Sequence, residues 1–301
     1  MKKKASKTFK QFDLYLLLLP TLVYLIVYHY APMYGVVLSF KDYNPALGIW
    51  GSPWVGFEHY LRFFKSHYFI DLLKNTVGIS LYSILINMPI PIIFALMLNE
   101  LRSKKFKKVV QTILYTPHFI STVVIVGLLM SFLTPQKGAI CQIAALFGGE
   151  LPNLMAEADW FSSLYVFSGL WQELGWWTII YVAVLSGVDQ NLHEAARIDG
   201  ATKLQRIWHI NIPWLMPTIV VLFVLSVGGI LSVGFEKIYL MQNKLNLDAS
   251  EVFSTYVYKA GLLEAQYGFS TAVNVFSALI NMFLLVLANA AAKRMNQSSL
   301  W

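Results

Sequence analysis

Six long apolar windows, separated by short polar connections, dominate this chain and leave few folds open to it. About 20 apolar residues cross a bilayer as a helix, because a hydrocarbon core of about 30 Å divided by 1.5 Å per residue gives that length. The windows run over residues 14–40, 75–98, 109–133, 161–187, 214–235 and 270–292. Only 13% of the 301 residues are charged, against roughly 25% in a soluble domain, so a water-soluble surface cannot be built from them. Apolar residues make up 57% and come in long blocks, so the disordered, collagen-like and disulfide-framework classes fall together. The expectation is an all-α polytopic membrane protein with six transmembrane helices. Leu14–Phe40 runs far past the roughly 7–15 apolar residues of a signal peptide and ends without a small-x-small cleavage site, so it is read as a span.

Lys and Arg set the orientation, since basic flanks are retained in the cytoplasm. With the N-terminus inside, the inner segments hold 15 of the 23 basic residues and the outer loops 8, beside 10 acidic ones. Both termini are therefore expected in the cytoplasm. The net charge of +7 is then a topological signal, and nucleic acid is not an implied partner. The densest basic run, Arg102 to Lys108, is a membrane turn suited to anionic lipid.

Catalytic signatures are missing. Gly-Lys does not occur, so no P-loop can form. His193-Glu194-Ala195-Ala196-Arg197 begins like a zincin helix but puts Arg at the second ligand position. There is no G-x-S-x-G elbow. Cys141, the lone cysteine, has no His or Cys at zinc spacing. A non-catalytic chain without a metal or cofactor of its own is expected.

The connection after the fourth window, residues 188–213, is patterned like two packed short helices. Asn191 with Glu194, and Thr202 with Gln205, are spaced as capping boxes. Gly200 stands where the first helix should stop, and Pro213 should bar the second from continuing. Ala195 and Ala196 leave a bare patch that another protein could approach closely.

Glu194-Ala195-Ala196, then Gly200 after three residues, then Ile210-x-Ile212-Pro213 after nine more, resembles the EAA motif of binding-protein-dependent ABC importer permeases, E-A-A-x3-G-x9-I-x-L-P. Ile212 in place of Leu is the one departure. The resemblance covers roughly residues 74–292, preceded by an N-terminal segment, first helix and outer loop (1–73) and followed by a short tail (293–301). Asn75-Thr76, Tyr115-Thr-Pro-His-Phe-Ile-Ser121 and Asp199-Gly200-Ala201 are similar to the oligosaccharide permeases of the maltose-importer class, in the branch serving complex or acidic plant and algal saccharides. The resemblance implies a second six-helix permease subunit, two copies of a cytoplasmic ABC ATPase that bind ATP and magnesium, and an extracytoplasmic solute-binding protein. It further implies that Glu194, Ala195, Ala196, Arg197, Asp199, Gly200, Ile210 and Pro213 form a cytoplasmic helix-turn-helix that couples the permease to the ATPase. Two plainer roles stay open: Glu194 capping its own helix, and Arg197 pairing with Glu194 as a solvated ion pair.

For the pathway, Glu173 lies near the midpoint of the fourth window, where an ionisable group costs at least a few kcal/mol without water or a partner. Trp177 and Tyr181 follow it at helical spacing, and Trp171 precedes it. Aromatic faces and a carboxylate suit a saccharide, although the tryptophans could instead form an interfacial belt. His118, Phe235, Glu236 and Asn274 are further candidates, each also explicable as packing or interhelical hydrogen bonding. Glu173 would repel an anionic sugar unless paired or protonated. The alternatives are the same architecture moving a solute such as glycerol phosphate, or a self-sufficient ion-coupled carrier, for which no internal repeat is found.

Overall fold

The computed structural model describes residues 12–294 and 299–300. Lys2, Lys3, Lys4, Lys7 and Lys10, and part of the 293–301 tail, lie outside the described residues. Within them the chain is helical, and extended backbone pairs only at an isolated antiparallel bridge between Lys41 and Trp54.

Two compact units divide the chain. The first comprises the described residues up to Ser66 together with Val257–Val275. It carries the apolar stretch Leu14–Phe40, helical throughout, with a π turn over Ile26–Tyr30 and a 3-10 end over Tyr34–Phe40. Lys41 then donates its Nζ to the carbonyl of Ile49 at 2.7 Å. On the helix Glu58–Lys65, Arg62 lies 4.4 Å above the Phe269 ring and donates to Gln266 Oε1 at 2.7 Å, which ties this loop region to the start of the last helix.

The second unit holds His67–Tyr256 and the described residues from Phe276 onward. Its axis is the helix Ala158–Leu185. Phe161, at one end, packs into an apolar cluster with Ile79, Val126, Ile238 and Val252. Tyr181 and Leu185, at the other, pack with Ala95, Leu96 and Leu215. Glu173 stands midway, about 18 Å of helix from Phe161 and from Leu185.

Among the described residues four helical stretches are long and apolar enough to cross a membrane: Leu14–Phe40, Tyr68–Glu100, Lys203–Gly228 and Tyr267–Arg294. The window at 109–133 is not one rod. It breaks into Lys104–Phe119 and Thr122–Phe132, bent by 98°. Pro117 in the 3-10 turn Thr116–Phe119 has no N–H to continue a helix, and Ile120 and Ser121 are extended before Ser121 caps the next one. Ala158–Leu185 has the length of a span, 28 residues, but Gln172, Glu173 and their neighbours keep it below the hydropathy of the other four.

Candidate functional site

An ionisable side chain amid apolar helices needs a partner, and Glu173 has one: its Oε2 accepts a hydrogen bond from His118 Nδ1 at 2.9 Å. The two are 55 residues apart and meet through two local devices. Gly175 lacks the Cβ that would collide with the Leu114 carbonyl oxygen and the Tyr115 ring, so the end of the helix Lys104–Tyr115 lies directly against Ala158–Leu185. The 3-10 turn then swings His118 onto that helix, where its ring stacks on Trp176 with centroids 4.4 Å apart and planes 8° from parallel. Gln172 Nε2 donates to the Ile120 carbonyl at 3.0 Å, giving a partner to an oxygen the broken helix leaves free.

Lys237, on the short helix Phe235–Met241, brings a cation to the same helix. It is 8% exposed, donates to the Tyr165 carbonyl at 3.1 Å, and lies over the Tyr165 ring. Gly169 makes room, since a Cβ there would stand 3.3 Å from Nζ. Burial pushes the Lys237 ammonium down to about 8, while the negative charge of Glu173 pulls it the other way.

The aromatic stripe expected beside Glu173 divides. Trp177 and Tyr181 line a separate cleft of about 210 Å³ with Asn87 and Ser226, and Tyr181 is itself buried. Trp171 faces an apolar groove with Phe132 and Phe167. Phe235 stacks on Tyr239, and Glu236 is exposed. Asn274 is exposed on the last helix, within the first unit. Lys237 and Trp176 are absent from the sequence-based candidates. Trp176 could have been found there, because it stands one helical turn from Glu173.

The 188–213 connection folds as an elbow. Its first helix, Gln190–Ile198, is capped by Asp189, whose carboxylate accepts the Asn191 N–H at 2.9 Å; Asn191 is not the cap, which lies two residues earlier. The helix ends in a Schellman arrangement. Ala201 N–H reaches the Ala196 carbonyl and Gly200 N–H the Arg197 carbonyl, with Gly200 at φ +79°. Thr202 and Gln205 then form both bonds of a capping box. Pro213 does not stop the second helix. Lys203–Arg206 passes through a π turn at Ile207–Asn211 into Ile212–Gly228, and the wider turn absorbs the proline's missing donor. Ile207, Ile210 and Ile212 anchor the elbow on the cluster around Leu185.

Glu194, Ala195, Arg197, Asp199 and Gly200 are exposed and Ala196 half-buried. Among the described residues the Glu194 carboxylate makes no hydrogen bond or ion pair, so neither a self-cap nor a pair with Arg197 forms. Ile198, Leu204 and Trp208 are 86%, 78% and 67% exposed on the same elbow.

Residues 87–297 match the family described as binding-protein-dependent transport system inner membrane component. The polygalacturonan/rhamnogalacturonan transport system permease protein YteP of Bacillus subtilis (strain 168) is 44% identical over 300 residues, which cover 100% of this chain and 94% of that protein. A crystal structure of a bacterial ABC transporter involved in the import of the acidic polysaccharide alginate contains a chain 37% identical, with a TM-score of 0.90 and 98% of this chain and 100% of that one covered. A second, of the bacterial alginate ABC transporter in complex with alginate pentasaccharide-bound periplasmic protein, contains one 36% identical, with a TM-score of 0.90 over 98% and 99% of the two chains.

Proposed function

This chain belongs to the binding-protein-dependent transport system inner membrane component family, and from that premise we propose how it shares the work of import with its partners. It is the permease component of a binding-protein-dependent ABC sugar importer, a multi-pass membrane protein whose relatives are transport permeases. It forms half of an alternating-access pathway with a second six-helix subunit. Its own six crossings are the four apolar stretches, the bent pair taken as one, and Ala158–Leu185, whose 28 residues reach about 42 Å. The basic residues support a cytoplasmic position for both termini and for the elbow.

The observation that carries this reading is the elbow, where a Glu194 carboxylate without a partner among the described residues and the exposed side chains of Ile198, Leu204 and Trp208 share one short connection. Such a surface calls for a protein partner. That partner is a cytoplasmic ABC ATPase, present in two copies, which holds ATP and magnesium. An extracytoplasmic binding protein delivers the sugar on the opposite side.

The substrate is an acidic oligosaccharide of the kind the relatives' names describe. The arrangement at Glu173 supports this, because the Lys237 cation offsets its charge and the hydrogen bond from His118 occupies its Oε2, which weakens the repulsion a bare carboxylate would exert. Trp176 offers a ring face beside it. Reconstitution with candidate ATPases, a second permease and the binding protein tests the reading: acidic oligosaccharides should stimulate ATP hydrolysis and uptake together. Stimulation by glycerol phosphate and not by sugars would overturn it, as would uptake by this chain alone.

A further inference from the structure

Beside the elbow lies a polar cavity of about 510 Å³ lined by the turn after Glu100 and by both elbow helices. Four cations face it, Arg102, Arg197, Lys203 and Arg206, against the single carboxylate of Glu100. Among the described residues two of its buried nitrogen atoms have no hydrogen-bond partner. Arg206 is 6% exposed, its Nε has no acceptor, and its contact with Glu100 is a loose 3.9 Å. His193, also 6% exposed, leaves Nδ1 unpartnered. A buried guanidinium with unmet donors is costly unless an anion completes it.

The cavity continues into an apolar one. Glu100, Leu101 and Lys203 also line a groove of about 480 Å³ formed with Ile93, Leu96, Met97 and Ile207. Ile93 is 52% and Met97 61% exposed. A basic chamber joined to an apolar groove on the flank of a membrane helix matches a molecule with an anionic head and a hydrocarbon tail. A free phosphate leaves the groove empty, and a protein carboxylate has no need of it.

We infer that this paired cavity binds one anionic phospholipid, its phosphate among Arg102, Lys203 and Arg206 and an acyl chain along Ile93, Met97 and Ile207. The inference rests on the proposed topology in placing the cavity at the cytoplasmic leaflet. Lipid occupying it would touch both helices of the elbow and the end of the stretch Tyr68–Glu100, so headgroup composition would bias how the elbow is held.

Native mass spectrometry of the intact transporter, delipidated from vesicles of phosphatidylcholine and phosphatidylglycerol, tests this independently of transport. One phosphatidylglycerol should be retained. The double variant Arg102→Gln/Lys203→Gln, changed at exposed positions, should retain it roughly thirtyfold less, at about fivefold for each cation lost. Lys105→Gln/Lys108→Gln, in the same basic run but on the helix Lys104–Tyr115 and outside the cavity, should retain it as the unaltered protein does, and Met97→Glu should weaken it. Equal loss in both double variants would reduce the effect to general surface charge and overturn the site. So would equal retention of phosphatidylcholine, full displacement by inorganic phosphate, or a cavity closed to lipid by ATPase carboxylates. Failure of coupled uptake with lipid still retained would instead count against the transport reading alone.

Discussion

A carboxylate in mid-helix is tolerated at Glu173 because a hydrogen bond from His118 and the nearby charge of Lys237 replace much of what water would supply. Glu173→Gln keeps an oxygen that can accept from His118 but removes the charge. Normal assembly with altered uptake is expected, measured as membrane abundance against initial transport rate; unchanged uptake would make Glu173 a packing residue. Lys237 gives a pH dependence with a defined sign. With its pKa near 8, below the usual 10.5, the cation is present at neutral pH and lost as pH rises. Uptake of an acidic oligosaccharide should therefore fall through about pH 8, and Lys237→Arg, charged throughout, should lose that limb. Glu173 and His118 were each legible in the sequence as polar groups in apolar windows. Their pairing was not, because it depends on a bend and a glycine contact that no local pattern encodes. Lys237 carries no such signal, since nothing near it in sequence foretells burial against Tyr165.

At the level of helices and turns, two glycines act for different reasons, and substitution separates them. Gly200 has open space around it but a left-handed φ of +79°, so only the backbone objects to a side chain. A β-branched residue there costs on the order of 1–2 kcal/mol or more, whereas Asn accepts the conformation. Gly200→Val should leave membrane insertion intact and separate ATP hydrolysis from transport, while Gly200→Asn should stay coupled; coupled transport in the valine variant would count against the elbow's role. Gly175 is helical, and by propensity Gly175→Ala would gain about 1 kcal/mol. Collision with the Leu114 carbonyl reverses that sign. The alanine variant should lower the amount of folded complex, read by thermal inactivation. The helix-turn-helix itself was plain in sequence from its turn residues. Pro213 misled because a proline signals a stop only where the preceding turn is α-helical, and here it is a π turn. Pro117 was visible too, but its breaking effect was hidden inside a continuous apolar window.

For the whole molecule, import needs two packings of similar free energy and a partner that binds them unequally, since equal affinity would shift nothing. The exposed elbow is where that inequality would enter. Ile198→Cys makes it measurable, because the chain's own Cys141 is buried and contributes little labelling. The new thiol should react with a water-soluble maleimide in the permease pair and be shielded once the ATPase is bound; equal reaction in both would place the ATPase elsewhere. The unbroken run from Lys203 to Gly228 carries a mechanical corollary. Its 26 residues form a rod of about 39 Å. Because no loop stands between the elbow's second helix and the span, there is no slack to take up. A tilt of about 10° at the elbow end would sweep the far end through about 7 Å over such a length, a displacement comparable to the width of a sugar ring.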